Sequence, residues 1–137
     1  LANMGSAVGT TAARYKNIKC PVKASNTEAV QRAMSRAELE HLQKHGTIRF
    51  GKSGTATDPH FVSDSVNARL TRARQRLALP EAKDVRVTME VEAGRFSPPT
   101  RVKPLDLGPR RGVLPGGGTE RTATGIIRAN ILEIQDY

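Results

Sequence analysis

The chain has 137 residues, which suits one domain, and its net charge is +9. No run approaches the ~18 apolar residues that span a bilayer, no secretory signal is visible, and the lone Cys20 excludes an intrachain disulfide. A single cysteine fits action in a reducing compartment, and a start at Leu1 fits a piece of a longer protein.

Hydrophobic content is 37% with no Trp, so a modest aliphatic core is expected. The positive balance favours an acidic partner: nucleic acid, an acidic protein or a phosphorylated ligand. Readers of nucleic acid usually add stacking aromatics, and here there are only Phe50, Phe61, Phe96, Tyr15 and Tyr137. Neither an RNA-binding module signature nor zinc-ligand spacing is present.

Residues 1–25 carry Arg14, Lys16, Lys19 and Lys23 without an acid and read as a basic arm or linker. Residues 26–137 read as one folded domain. Asn26 to His45 has helical spacing in two pieces, broken near Met34 and Ser35. In the second piece Ser35 and Glu38 form a capping-box pair, and Gly46 stands where a helix ends.

The next stretch, GTIRFGKSGT from Gly46, satisfies G-x-x-x-x-G-K-S, the pattern of a triphosphate-binding loop. Such a loop must follow a strand and open a helix, so that loop amides and helix terminus cradle the phosphates. Here a helix precedes it, and Gly54 to Pro59 cannot open one. Thr47 to Phe50 instead reads as a short strand, which makes Arg49 a strand residue between Gly46 and Gly51.

His60 to Ser63 is a second short strand. Asp64 then caps a helix to about Ala78, with Val66, Leu70, Ala73 and Leu77 on one face. Val85, Val87, Met89 and Val91 alternate with polar residues as a half-buried strand. Gly94 to Val102 turns and adds a short strand; residues 103–119 are rich in Pro, Gly and Arg; Thr124 to Gln135 is a long apolar strand. The order implies an α+β domain with a strongly curved antiparallel sheet, N-terminal helices and one central helix.

Three polar residues stand where buried ones are expected: Arg49, Ser63 after the HFV run, and Glu120 after three glycines. Each also has a plain reading: a solvent-facing strand arginine, a turn serine, a flexible glycine loop. His41 and His45 share a helix face at the spacing of a metal pair, or are solvent-side residues near a helix end; no metal is expected. Phe61 and Phe96 suit either the core or stacking on a flat ligand. Arg69, Arg72, Arg74 and Arg76 are a solvated helix face or a landing surface for an acidic partner.

The stretches IRFG, HFVSD, RARQRLALP, VRVTMEVEAGRFSPP and LPGGGTERTATG resemble the C-terminal toxin domains of bacterial Rhs polymorphic toxins. These belong to the arginine-serine-glutamate class of ADP-ribosyltransferases, and the resemblance is nearest to the TreTu type. It covers about Ser35 to Tyr137. It implies an ADP-ribosyltransferase-like fold and NAD+ as co-substrate without a metal. Catalysis would fall to Glu120, Ser63 and Arg49, and NAD+ would be held by Arg49, Phe50, Gly51, Phe61, Ser63, Gly117 and Gly118.

The same resemblance implies a secreted effector acting in the cytoplasm of a target bacterium. Its target would be elongation factor Tu, and a cognate immunity protein of acidic character would neutralise it; nucleic acid and membrane are not expected partners. NAD+ hydrolysis on the same site, as in related glycohydrolase toxins, and a basic RNA-directed module stand as alternatives. Members that modify arginine often carry Glu or Gln two residues before the catalytic glutamate. Gly118 occupies that position, which puts arginine in doubt as the acceptor.

Overall fold

The computed structural model describes residues 26–51 and 54–137. The basic arm, Cys20, Lys52 and Ser53 lie outside the described residues. Two helices and a set of short sheets form an α+β fold in which every strand pairing among the described residues is antiparallel.

Strands β1 (Thr27–Met34), β3 (Val85–Glu92) and β8 (Ala129–Asp136) form the main sheet, with β3 in the centre. The expected alternation in β3 is present: Val85, Val87, Met89 and Val91 are fully buried. The first half of the expected N-terminal helix pair is instead β1. Val30, Ala33 and Met34 are buried at a spacing that mimics a helix. Yet the whole segment from Thr27 to Met34 pairs with β3 from Glu92 to Val85, and a complete ladder outweighs local propensity.

Helix α1 (Arg36–His45) keeps both expected ends. Ser35 Oγ accepts from the Glu38 amide, Glu38 accepts from the Ser35 amide, and Gly46 closes the helix at φ 71°. Thr47 to Phe50 is not a strand. A Thr47–Arg128 bridge and an Ile48 amide donating to the Ile127 carbonyl at 3.0 Å tie down its backbone.

The second sheet has the order β2 (His60–Val62), β7 (Thr119–Ala123), β4 (Thr100–Arg101). A small hairpin joins β5 (Leu105–Asp106) to β6 (Val113–Leu114). The long last strand expected from Thr124 begins only at Ala129, as β8; the segment before it is itself a strand, β7, which contains Glu120, and a turn with Gly125 at φ 88° separates the two.

Helix α2 spans only Leu70–Leu77 and is not capped by Asp64. Asp64 accepts from Arg121 at 3.2 Å and the Val66 amide donates to Gln31 Oε1 at 2.7 Å, so residues 64–66 are held outside the helix. Period-two alternation places Val30 and Met34 on the face of β1 that packs with Leu39 and Leu42 of α1. Ala33 faces the other way, against Val66 and Ala73 under α2.

The two sheets meet along β1 and β2 at one backbone pair. Gln31 and Ser63 exchange amide-to-carbonyl bonds of 2.8 Å in both directions.

Candidate functional site

Around that junction an open cleft of about 350 Å³ runs between β1, β2, the segment after α2, and β7. Its polar lining includes Arg32, Ser63, Lys83 and Glu120; Phe61 stands beside them and Leu77 and Val102 supply apolar wall.

Arg32 is held rigidly. Its Nε and Nη2 donate to Glu38 Oε2 at 3.3 and 2.8 Å, and Nη1 donates to the Phe61 carbonyl at 2.6 Å. Glu38 is buried, and burial alone would raise its pKa. The charge and hydrogen bonds of Arg32, the Ser35 amide and the charge of Lys83 outweigh that and hold it below the usual carboxylate value. The capping glutamate of α1 thus also orients an arginine in the cleft.

Ser63 is fully buried. Its Oγ donates to the Ser65 carbonyl at 2.9 Å, accepts from the Ser65 amide at 3.2 Å, and lies 3.3 Å from Thr119 Oγ1. Such a hydroxyl positions its neighbours; no base is arranged to make it a nucleophile. Val62 pairs with Arg121, so one step along the same register carries Ser63 to the level of Glu120. The Glu120 carboxylate makes no hydrogen bond or ion pair within the described residues, and it borders the cleft half-exposed.

The next residue, Arg121, turns to the other side of β7. Its guanidinium meets Glu28 at 2.7 and 3.1 Å, Asp64 at 3.2 Å and the Ser97 carbonyl at 2.8 Å. This network links β1, the end of β2 and β7, and fixes the strand that carries Glu120.

Of the residues singled out in the sequence, Phe61, Ser63 and Glu120 come together on the cleft. Arg49 does not line it: the side chain is exposed beyond α1, near His41. Burial first, then the charges of His45 and Arg49, push His41 below the usual histidine value. Phe50 stacks on His60 with ring centroids 5.8 Å apart, and Gly51 packs beside Asp58. Phe61 is 45% exposed and free to stack on a ligand, whereas Phe96 belongs to the core.

The glycine run is a packing device. The amides of Gly116 and Gly118 donate to the Gln75 and Arg76 carbonyls at the end of α2, at 2.8 and 2.9 Å, and the Gly117 amide donates to Val102. A Cβ on Gly118 would stand 2.9 Å from the Arg76 oxygen, and one on Gly116 2.5 Å from the Val102 oxygen. Gly116 and Gly118 therefore hold α2 against β7, and the Gly117 and Gly118 amides are taken by backbone carbonyls.

The apparent triphosphate pattern stands in the reverse of the context such a loop needs. Gly46 ends a helix, and the next element is β2. Arg74 and Arg76 of the arginine-rich helix are tethered to backbone: Arg74 to Leu79 and Pro80, Arg76 to Gly117. His41 and His45 have ring centroids 4.5 Å apart, and no group of three or more metal-ligating side chains forms among the described residues.

Arg32 is the site residue that sequence reasoning missed. Read as helical, its segment hid the alternation that turns Arg32 to the α1 side of β1, where Glu38 meets it at the edge of the cleft. The available signal was Glu38, six residues on and already assigned to a cap. Comparisons of the chain with protein-family models, curated proteins and solved structures return no match.

Proposed function

We propose that the chain is an NAD+-dependent mono-ADP-ribosyltransferase toxin domain with an ADP-ribosyltransferase-like fold, and that Arg32, not Arg49, is its dinucleotide-binding arginine. The observation that carries this reading is the meeting of Arg32, Ser63 and Glu120 on one cleft where β1 and β2 part.

A fixed guanidinium matches two phosphate oxygens in planar fashion, and Glu38 holds Arg32 in such a pose. Cleavage of the bond between nicotinamide nitrogen and ribose C1′ sends the electron pair to nicotinamide, which leaves neutral. Positive charge develops on the ribose, as in glycoside cleavage. The unpaired Glu120 carboxylate is suited to stabilise that cation, and a preorganised charge of this kind contributes a few kcal/mol. A nucleophilic group of the target then bonds to C1′ and loses its proton.

Elongation factor Tu is the target suggested by the sequence resemblance, with arrest of protein synthesis in the cytoplasm of a rival bacterium as the result. An acidic immunity protein is the matching antidote, and its binding should weaken with salt. With no side chain at Gly118 to orient it, an arginine acceptor is disfavoured.

The test uses labelled NAD+, the purified domain and bacterial extract, with Glu120→Gln alongside. One labelled band at the mass of elongation factor Tu, lost in the variant, supports the transferase. Nicotinamide release without labelled protein selects NAD+ hydrolysis. Neither product from a folded protein removes the NAD+ reading and leaves the basic RNA-directed module, which would show salt-sensitive RNA binding indifferent to Glu120→Gln.

A further inference from the structure

We infer that Lys83 and Arg32 together form a seat for a pyrophosphate group, and that the ligand draws Lys83 away from its counter-ion Glu38. The inference rests on the NAD+ reading and deepens it, because nothing in the sequence singled out Lys83 or gave Glu38 a role beyond its helix cap.

Both cations line the cleft. Arg32 uses Nε, one Nη2 hydrogen and one Nη1 hydrogen on Glu38 and the Phe61 carbonyl, which leaves one hydrogen on each terminal nitrogen. Lys83 Nζ stands 3.8 Å from Glu38 Oε1, close enough for attraction and too far for a hydrogen bond. That oxygen is already occupied by the Ser35 amide at 3.1 Å. Among the described residues Lys83 therefore keeps its three donors unused, with its side chain 27% exposed at the cleft.

Two other cations close by are not in this state. Arg74 and Arg76 donate to backbone carbonyls, so α2 contributes wall to the cleft and not a mobile charge. A pyrophosphate linkage carries two negative charges at neutral pH. Arg32 and Lys83 match them, while Glu38 stays bonded to Arg32 and to Ser35. The flexible lysine stem makes the exchange of one long contact for a direct one inexpensive.

The experiment is calorimetry of the full chain at low salt with inorganic pyrophosphate and with ADP-ribose, for the wild type, Lys83→Met and Glu38→Gln. Loss of the lysine contact should weaken ADP-ribose binding by about tenfold or more. Glu38→Gln keeps a residue able to complete the capping box but gives up the charge that poses Arg32, so it too should weaken binding of both ligands. Weaker ADP-ribose binding in Lys83→Met at an unchanged urea midpoint is what a structural role alone would not give.

Unchanged ADP-ribose affinity in Lys83→Met overturns the seat while leaving the NAD+ reading intact. Pyrophosphate binding that depends on Lys83 without NAD+ turnover supports the seat and removes the NAD+ reading. A wild-type protein that binds neither ligand overturns both.

Discussion

Arg121 grips Glu28 through two guanidinium nitrogens, Nη1 to Oε1 at 2.7 Å and Nη2 to Oε2 at 3.1 Å, across 93 residues of sequence. The hydrogen bond and charge of Arg121 hold Glu28 below its usual value of 4.5 against the opposing effect of burial. Arg121→Met should strip Glu28 of its guanidinium partner, leave the Ser97 carbonyl without that donor and lower stability by about 2 kcal/mol, less than a fully buried pair because Glu28 is partly solvated and keeps the Gly94 amide. Urea unfolding measures it. A depressed carboxylate contributes stability above its ordinary pKa and loses it as pH falls through the folded value. Glu28→Gln should therefore flatten the acid limb of stability below about pH 4.5.

Gly118→Glu would restore the residue common in arginine-modifying enzymes and should still not create one. The new Cβ would meet the Arg76 oxygen at 2.9 Å and Leu77 Cδ2 at 3.2 Å. We expect a loss of about 1–3 kcal/mol from overpacking, read as a lower urea midpoint, with no gain of labelling on an arginine-rich acceptor.

Ala78 is the one non-glycine residue at positive φ among the described residues, at 51°, and it closes α2 by donating to the Arg74 carbonyl. Ala78→Gly relieves that strain at the cost of a more flexible unfolded chain. The net effect should be a stabilisation of about 0.5–1 kcal/mol, visible as a higher Tm.

His60 is buried, with Nε2 2.8 Å from the Gly125 carbonyl and Phe50 stacked on its ring. Burial pushes its pKa below 6.5; the Gly125 bond and Asp58 act the other way, while Arg32 and Arg95 add to the depression. The unfolded chain thus binds the proton first. Stability is complete above the ordinary histidine value and declines as pH falls from about 6.5 toward the folded value. Urea midpoints at pH 7.5 and 5.5 should differ more in the wild type than in His60→Gln.

Arg32→Lys keeps the charge but not the planar fork, and should weaken NAD+ binding by about tenfold. Arg49→Lys, outside the cleft, should leave it unchanged. Equilibrium binding of NAD+ to the two variants compares them directly; the reverse pattern would restore Arg49 to the site.

Local chemistry was legible wherever the chain decides alone. The Ser35–Glu38 cap, the Gly46 stop, the β3 alternation and the HFV strand all follow from residues within one or two turns of each other. Long-range pairing was not legible. Val30, Ala33 and Met34 fit a helix face until β3 supplies a ladder for them. Asp64 has the chemistry of a helix cap, but Arg121, far along the chain, takes its carboxylate. The site followed the same division: Ser63 and Glu120 stood out as polar residues beside apolar strands, while Arg32 was concealed by the helical reading of its segment. The glycine run was read as a flexible loop or as part of a cofactor site, and its close contact with α2 was not foreseen.

The bond from Arg32 to the Phe61 carbonyl crosses from β1 to β2 right beside the Gln31–Ser63 junction. The side chain proposed to grip the ligand is therefore also a latch on the aperture. Breadth of entry and strength of grip cannot be adjusted independently here. A compound that claimed all of Arg32 would loosen the gap it entered through, and one that left the Phe61 bond in place would find the opening already set to its width.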